Sequence, residues 1–207
     1  MSSVLDFLFS PYSEYSTLNI LLELTAVIFG FMSVWFSKKN SIWVYPTGMV
    51  STFIYVYLLF YVGLLGDMLI NAYYFSMSIY GWYYWTRSKN GIDLNPISKI
   101  NKSEYKTSQI LFVSAIVFIY VVYNFFDMWN NIIAYIDTVT TAIFFVGMWL
   151  MARRKIENWL FWIVGDIISI PLYLHKGLAL TSFQYLVFTF IAVAGYFAWK
   201  KEISNVK

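Results

Sequence analysis

Residues 153–174 read RRKIENWLFWIVGDIISIPLYL: three cations, then an apolar run carrying one acid and one proline. From Trp159 to Leu174 the run falls just short of the ~20 residues that cross a ~30 Å hydrocarbon core. Cations ahead of an apolar run mark a membrane surface. Asp166 then lies seven residues past Trp159, which at about 1.5 Å per residue is about 10 Å into the span. An acid at that depth is costly and points to function.

The same pattern recurs along the chain. Further apolar segments run Leu18–Ser37, Ile42–Val62, Asp67–Trp85, Gln109–Phe126, Ile132–Met151 and Leu180–Trp199, which predicts seven transmembrane helices. Polar or glycine-bearing breaks separate them: SKKN, GLLG, RSKNGIDLNPISKINKSEYK, DMWNN, ARRKIEN and HKG. All of the 14 Lys and Arg residues except Lys176 follow the first, third, fifth or seventh span, so they gather on one face. Cytoplasmic loops carry the Lys/Arg excess, which predicts an outside amino terminus and a cytoplasmic carboxyl terminus.

Composition agrees. Of 207 residues, 60% are hydrophobic, 22% aromatic and 12% charged; soluble domains average about 25% charged. The net charge of +3 matters less than its distribution. Cysteine is absent, which removes disulfides, thiolate metal sites and a Cys nucleophile. His175, beside Lys176 at the outer end of the sixth span, is the only histidine and reads as an interface residue. No metal or cofactor is expected. Residues 1–17, MSSVLDFLFSPYSEYST, lack the basic start of a cleaved signal and contain Asp6, Pro11 and Glu14. They are expected to lie as an interfacial segment on the outer surface.

Sliding the chain by 114 residues pairs Glu23 with Asp137, Trp35 with Trp149, Lys39 with Arg153 and Gly63 with Gly177. It also pairs Leu64 with Leu178, Gly81 with Gly195 and Trp85 with Trp199. So many matches at one offset predict an internal repeat. The copies are separated by an even number of spans and therefore point the same way. The expected fold is an all-α membrane protein of 3+1+3 helices, with a pseudo-two-fold axis along the membrane normal and a site near the midplane. The implied units are 18–86 and 132–200 as bundles, 87–131 as loop and linker helix, and 201–207 as a cytoplasmic tail.

Helical spacing places Trp159, Trp162, Asp166, Ser169 and Tyr173 on one stripe of the sixth span, which Gly165 and Pro171 interrupt. Indole faces attract a flat cationic ring, and a carboxylate supplies counter-charge. The two tryptophans are either ligands or members of the inner aromatic belt. A second stripe in the third span holds Asn71, Tyr74, Ser78, Trp82 and Trp85; in the seventh, Gln184 shares a face with Thr181, with Tyr185 beside it. The amides must face the bundle, as helix–helix contacts or as ligands. Glu23, Asp67, Asp127 and Asp137, near outer helix ends, read as caps or interface residues.

The segments ENWLFWIVGDIISIPLYLHKGLALTSFQYLVFTFIAVAGYFAW and NAYYFSMSIYGWYYW resemble nicotinamide riboside transporters of the PnuC family, distant relatives of the SWEET sugar carriers. The likeness covers essentially all seven spans. It implies a homotrimer in the bacterial inner membrane, facilitated diffusion without a coupling ion, and trapping of the solute by a cytoplasmic kinase. It assigns Trp159, Trp162 and Asn71 to the substrate site. Where some relatives have Asn in the sixth span this chain has Asp166, and where some have Gln in the third it has Asn71. A branch of the family carries thiamine, also a cationic heteroaromatic. A seven-helix photoreceptor is disfavoured because the seventh span lacks a lysine for a retinal Schiff base. An intramembrane enzyme is disfavoured because paired mid-span carboxylates and cysteine are missing.

Overall fold

A computed structural model of the protein describes residues 16–61, 65–127, 129, 132–175 and 179–205, without the side chains of 65–67 and 179–181. Nearly all of the expected interfacial segment, the pairs 63/177 and 64/178, and Lys176 and Lys207 lie outside the described residues. So do the side chains of Asp67 and Thr181.

Seven long helices make up the described chain: α1 (Thr17–Lys38), α2 (Val44–Tyr61), α3 (Leu65–Trp85), α4 (Lys102–Phe125), α5 (Ile132–Ala152), α6 (Asn158–His175) and α7 (Ala179–Asn205). Five of them, α1, α2, α4, α5 and α7, are long and apolar enough to cross a membrane. The other two, α3 and α6, carry Asn71, Ser76 and Ser78 and Asn158 and Asp166, which lower their hydropathy. Two helices outrun the apolar segments. Asn101 and Glu104 form a capping box that starts α4 ahead of Gln109, and α7 continues past Trp199 to Asn205. Ser16 caps α1, its Oγ accepting from Asn19 N at 3.2 Å.

Helices α1, α2 and α3 pack in sequence, as do α5, α6 and α7; the two groups meet through α1 with α7 and α3 with α5, while α4 lies on α5. Several contacts across this bundle have counterparts 114 residues away. The Trp85 indole N–H donates to the carbonyls of Met151 and Ala152 at 3.3 and 3.2 Å, and that of Trp199 donates to the carbonyl of Ser37 at 3.0 Å. The Tyr45 ring lies so close to Gly81 that a Cβ there would be 2.3 Å from it; Trp159 lies likewise against Gly195, at 2.6 Å. Each ring also meets a tryptophan edge-on, Tyr45 with Trp85 at 5.1 Å and Trp159 with Trp199 at 5.5 Å. Phe31 with Phe188 and Tyr74 with Phe145 make another such pair, inclined at 58° and 54°.

The cation-rich end is tied together by polar contacts. Asn90-Gly91, at φ 52° and 77°, turns a short hairpin of β1 (Ser88–Lys89) and β2 (Ile92–Asp93). Arg154 forms an ion pair with Asp93, donates Nε to Asn40 Oδ1 at 2.9 Å and Nη1 to the Asn95 carbonyl at 3.0 Å, and stacks 4.4 Å from the Trp85 ring. Asn40 also donates to Glu202 at 2.6 Å, bringing in α7. Glu104 accepts from Arg153 at 3.2 Å and Lys155 at 3.0 Å. Arg154 and Lys155 are buried, so this run is paired inside the protein instead of standing as a solvated face.

Candidate functional site

Two adjoining cavities occupy the bundle between the helix groups. The first, about 250 Å³, has walls from α1, α2, α3, α5, α6 and α7. The second, about 390 Å³, extends toward the end where α1 begins and reaches Glu23, Asp137 and Tyr173. Tyr55, Asn71, Tyr74, Phe144, Gln184, Tyr185 and Phe188 line both, forming a shared aromatic and amide layer.

Seven of the eight residues expected at the site, Asn71, Tyr74, Ser78, Trp159, Trp162, Asp166 and Gln184, line the first cavity. The eighth, Ser169, lines the second beside Asn71, Tyr74 and Gln184. Helical periodicity explains the grouping, because residues three, four and seven apart share a face. The ends of the α3 stripe do not reach either cavity: Trp82 is exposed, and Trp85 is buried against α5.

Aromatic rings form much of the cavity lining. Phe144 stacks between Trp162, 5.5 Å away at 29°, and Tyr185, 6.0 Å away at 8°. Tyr74 meets Trp162 edge-on at 6.4 Å. A flat heteroaromatic ring can join such a row by stacking, at about 0.5–1.5 kcal/mol per pair beyond burial. Trp159 is fixed differently. It is 2% exposed, its ring is held by Gly195 and Trp199, and its indole N–H has no partner among the described residues. Neither Trp159 nor Trp162 is exposed in the manner of an interfacial belt.

Asp166 is the acidic residue of the first cavity. It is 3% exposed and makes no hydrogen bond or ion pair among the described residues. The equivalent position at the 114-residue offset is Thr52, which lines the same cavity and turns its hydroxyl to the Gly48 carbonyl at 2.8 Å.

Glu23 and Asp137 depart from the cap reading. Neither lies in the first turn of its helix, so neither is a cap; both line the second cavity. Asp137 accepts from the Tyr123 hydroxyl at 2.7 Å. Their shared sign at the 114-residue offset was the signal that depth alone did not carry. Tyr55, Phe144 and Phe188 were missed as well, since in a chain that is 22% aromatic an aromatic residue alone marks nothing. His175 is exposed at the end of α6, as expected. Among the described residues no three His, Cys, Asp or Glu are grouped to hold a metal ion.

A helical bundle with five membrane-length helices and a central cavity lined by aromatic, amide and carboxyl groups fits a multi-pass membrane transporter. Residues 20–201 match the model of the family described as nicotinamide mononucleotide transporter, and the chain belongs to that family. It is 25% identical over 202 residues to the nicotinamide riboside transporter PnuC of Escherichia coli, covering 86% of this chain and 84% of that protein. It is 22% identical over 184 residues to the riboflavin/roseoflavin transporter RibM of Streptomyces davaonensis, covering 86% and 83%. A crystal structure of the vitamin B3 transporter PnuC superposes with a TM-score of 0.67 at 22% identity, covering 98% of this chain and 90% of that one. That likeness bears on the fold.

Proposed function

We propose that this protein takes up nicotinamide riboside by facilitated diffusion, with two helix bundles rocking about the central cavities. The observation that carries the reading is the unpartnered Asp166 in a cavity walled by Trp162, Phe144, Tyr74 and Tyr185, with amides from Asn71 and Gln184. The pyridinium ring would join the stacked row, its carboxamide would meet an amide, and the ribose hydroxyls or the ring charge would meet Asp166. No Lys, Arg or His among the described residues lines either cavity, which favours the riboside over the anionic mononucleotide of the family description.

The bundles 18–86 and 132–200 are read as parallel copies about an axis along the membrane normal. The contacts exchanged at 114-residue spacing, Trp85 with Met151 and Trp199 with Ser37, support this. All seven helices then cross the membrane, with the amino terminus outside and the carboxyl terminus cytoplasmic. Resemblance to PnuC transporters adds a homotrimer in the bacterial inner membrane and a cytoplasmic kinase that traps the solute. Thiamine is the second substrate reading, favoured by the carboxylate of Asp166, which suits its thiazolium charge equally. Riboflavin fits less well, because its ring system carries no positive charge to pair with Asp166.

Uptake of labelled nicotinamide riboside, thiamine and riboflavin into proteoliposomes tests the assignment. Saturable entry of the riboside, competed poorly by the other two, is the expected result. Entry of none of them would overturn the transport reading; preferential entry of thiamine would replace the substrate.

A further inference from the structure

The interior path carries charge of one sign. Asp166 faces the first cavity, and Glu23 and Asp137 face the second. The cations whose ion pairs are described, Arg153, Arg154 and Lys155, are instead engaged at the opposite, loop-bearing end. A carboxylate taken out of water is costly unless something pairs with it, yet Asp166, 3% exposed, has no hydrogen-bond or ion-pair partner among the described residues. Its counterpart Thr52 has no acidic group, so the first cavity has a carboxyl group on the α6 side only. The aromatic row at Phe144, Trp162 and Tyr185 presents ring faces, which also attract cations.

From this arrangement we infer that Asp166 is the charge discriminator of the transport site: it selects a permanently cationic heteroaromatic over a neutral ring of the same shape. The inference takes from the proposed function only the location of the solute in the first cavity. The amides of Asn71 and Gln184 serve charged and neutral rings alike, and the aromatic faces favour a cation only modestly, so shape does not separate them. The carboxylate does. The cation supplies the partner that the empty cavity lacks, whereas a neutral ring leaves the acid buried and unpaired.

Nicotinamide riboside and its 1,4-dihydro form differ little in shape but by one positive charge, so they isolate this property. Binding of each to the full chain in nanodiscs is measured by isothermal titration for wild type and Asp166→Asn. Wild type is expected to bind the cation at least about 30-fold tighter than the dihydro form. In Asp166→Asn the two should fall within about threefold of each other. Unchanged or improved affinity for the dihydro form would show that the variant remains folded. Equal binding of both forms by wild type overturns the inference, as does full discrimination by Asp166→Asn. If neither riboside form binds, thiamine decides. Its binding to wild type with loss in Asp166→Asn supports the discriminator while the riboside assignment falls, and equal binding by both proteins overturns the discriminator. If thiamine also fails to bind, the inference falls together with the proposed function.

Discussion

Replacing Gly81 or Gly195 with alanine separates the packing role of an aromatic ring from its role at the cavity. A Cβ at Gly81 would lie 2.3–2.5 Å from the Tyr45 ring and hydroxyl, and one at Gly195 would lie 2.6–2.7 Å from the Trp159 ring. Carbon atoms pack best at about 3.5–4.0 Å, so each ring must retreat by roughly 1 Å. Both rings are buried, at 0% and 2% exposure, and both are braced by a tryptophan edge, so neither can swing into open space. Overpacking of this kind costs about 1–3 kcal/mol. For a chain of this size that corresponds to a fall in Tm of about 2–12 °C. Both variants should therefore melt lower in detergent, to a similar extent. Their binding should diverge. Tyr45 lines neither cavity, whereas Trp159 forms part of the first. Gly81→Ala should keep wild-type affinity for nicotinamide riboside, and Gly195→Ala should lose about tenfold, equivalent to about 1.4 kcal/mol. Thermal shift and titration on the same preparations read both effects. An unchanged Tm in Gly81→Ala would refute the close packing. Unchanged affinity in a destabilised Gly195→Ala would restrict Trp159 to a structural role.

Arg154→Lys keeps the charge but loses the fork that reaches Asp93, Asn40 and Asn95 together. Limited proteolysis should then cut residues 86–101 several-fold faster, and an unchanged rate would show that the loop is held by its other contacts. Because the chain has no cysteine, single replacements Ser16→Cys, Asn90→Cys and Asn205→Cys need no other background. An impermeant maleimide applied to intact cells should label position 16 and spare 90 and 205; labelling of 16 and 205 from the same side would remove the seven-span topology.

Much of the fold was legible because a bilayer imposes length on every crossing element and leaves most polar residues at its surfaces. Segment limits such as Ile132–Met151 fall within one residue of α5. The misses come from interactions that apolar counting cannot register. The α4 start depends on the reciprocal bonds of Asn101 and Glu104, at 2.9 and 3.0 Å, made by a polar stretch beyond the apolar run. The hairpin at Asn90-Gly91 was written in a dipeptide that favours left-handed backbone, but it sat inside a long polar loop. Charge alone places the buried cations at a membrane surface and says nothing of their partners. Arg154 and Lys155 are held by partners far away in sequence, Asp93 and Glu104, and only the folded loop brings these together.

At the site, periodicity located the lining of α6 and α3, since a stripe at helical spacing needs no knowledge of its partner. It could not show which opposing residues complete the wall. Phe144 of α5 stacks on Trp162, Tyr185 of α7 stacks on Phe144, and Tyr55 comes from α2. Offset comparison reached further, because it tests two positions at once. It pairs Glu23 with Asp137 at one level of the path, and it also exposes the difference between Asp166 and Thr52 at another. Equal positions explain how two bundles can exchange matching contacts such as those of Trp85 and Trp199. Unequal ones explain how a cavity between such bundles can orient a solute, since a symmetric lining would bind a ring equally well in two opposed poses. If Asp166 discriminates charge as inferred, the single carboxyl group of the first cavity removes that degeneracy by placing the counter-charge on the α6 side.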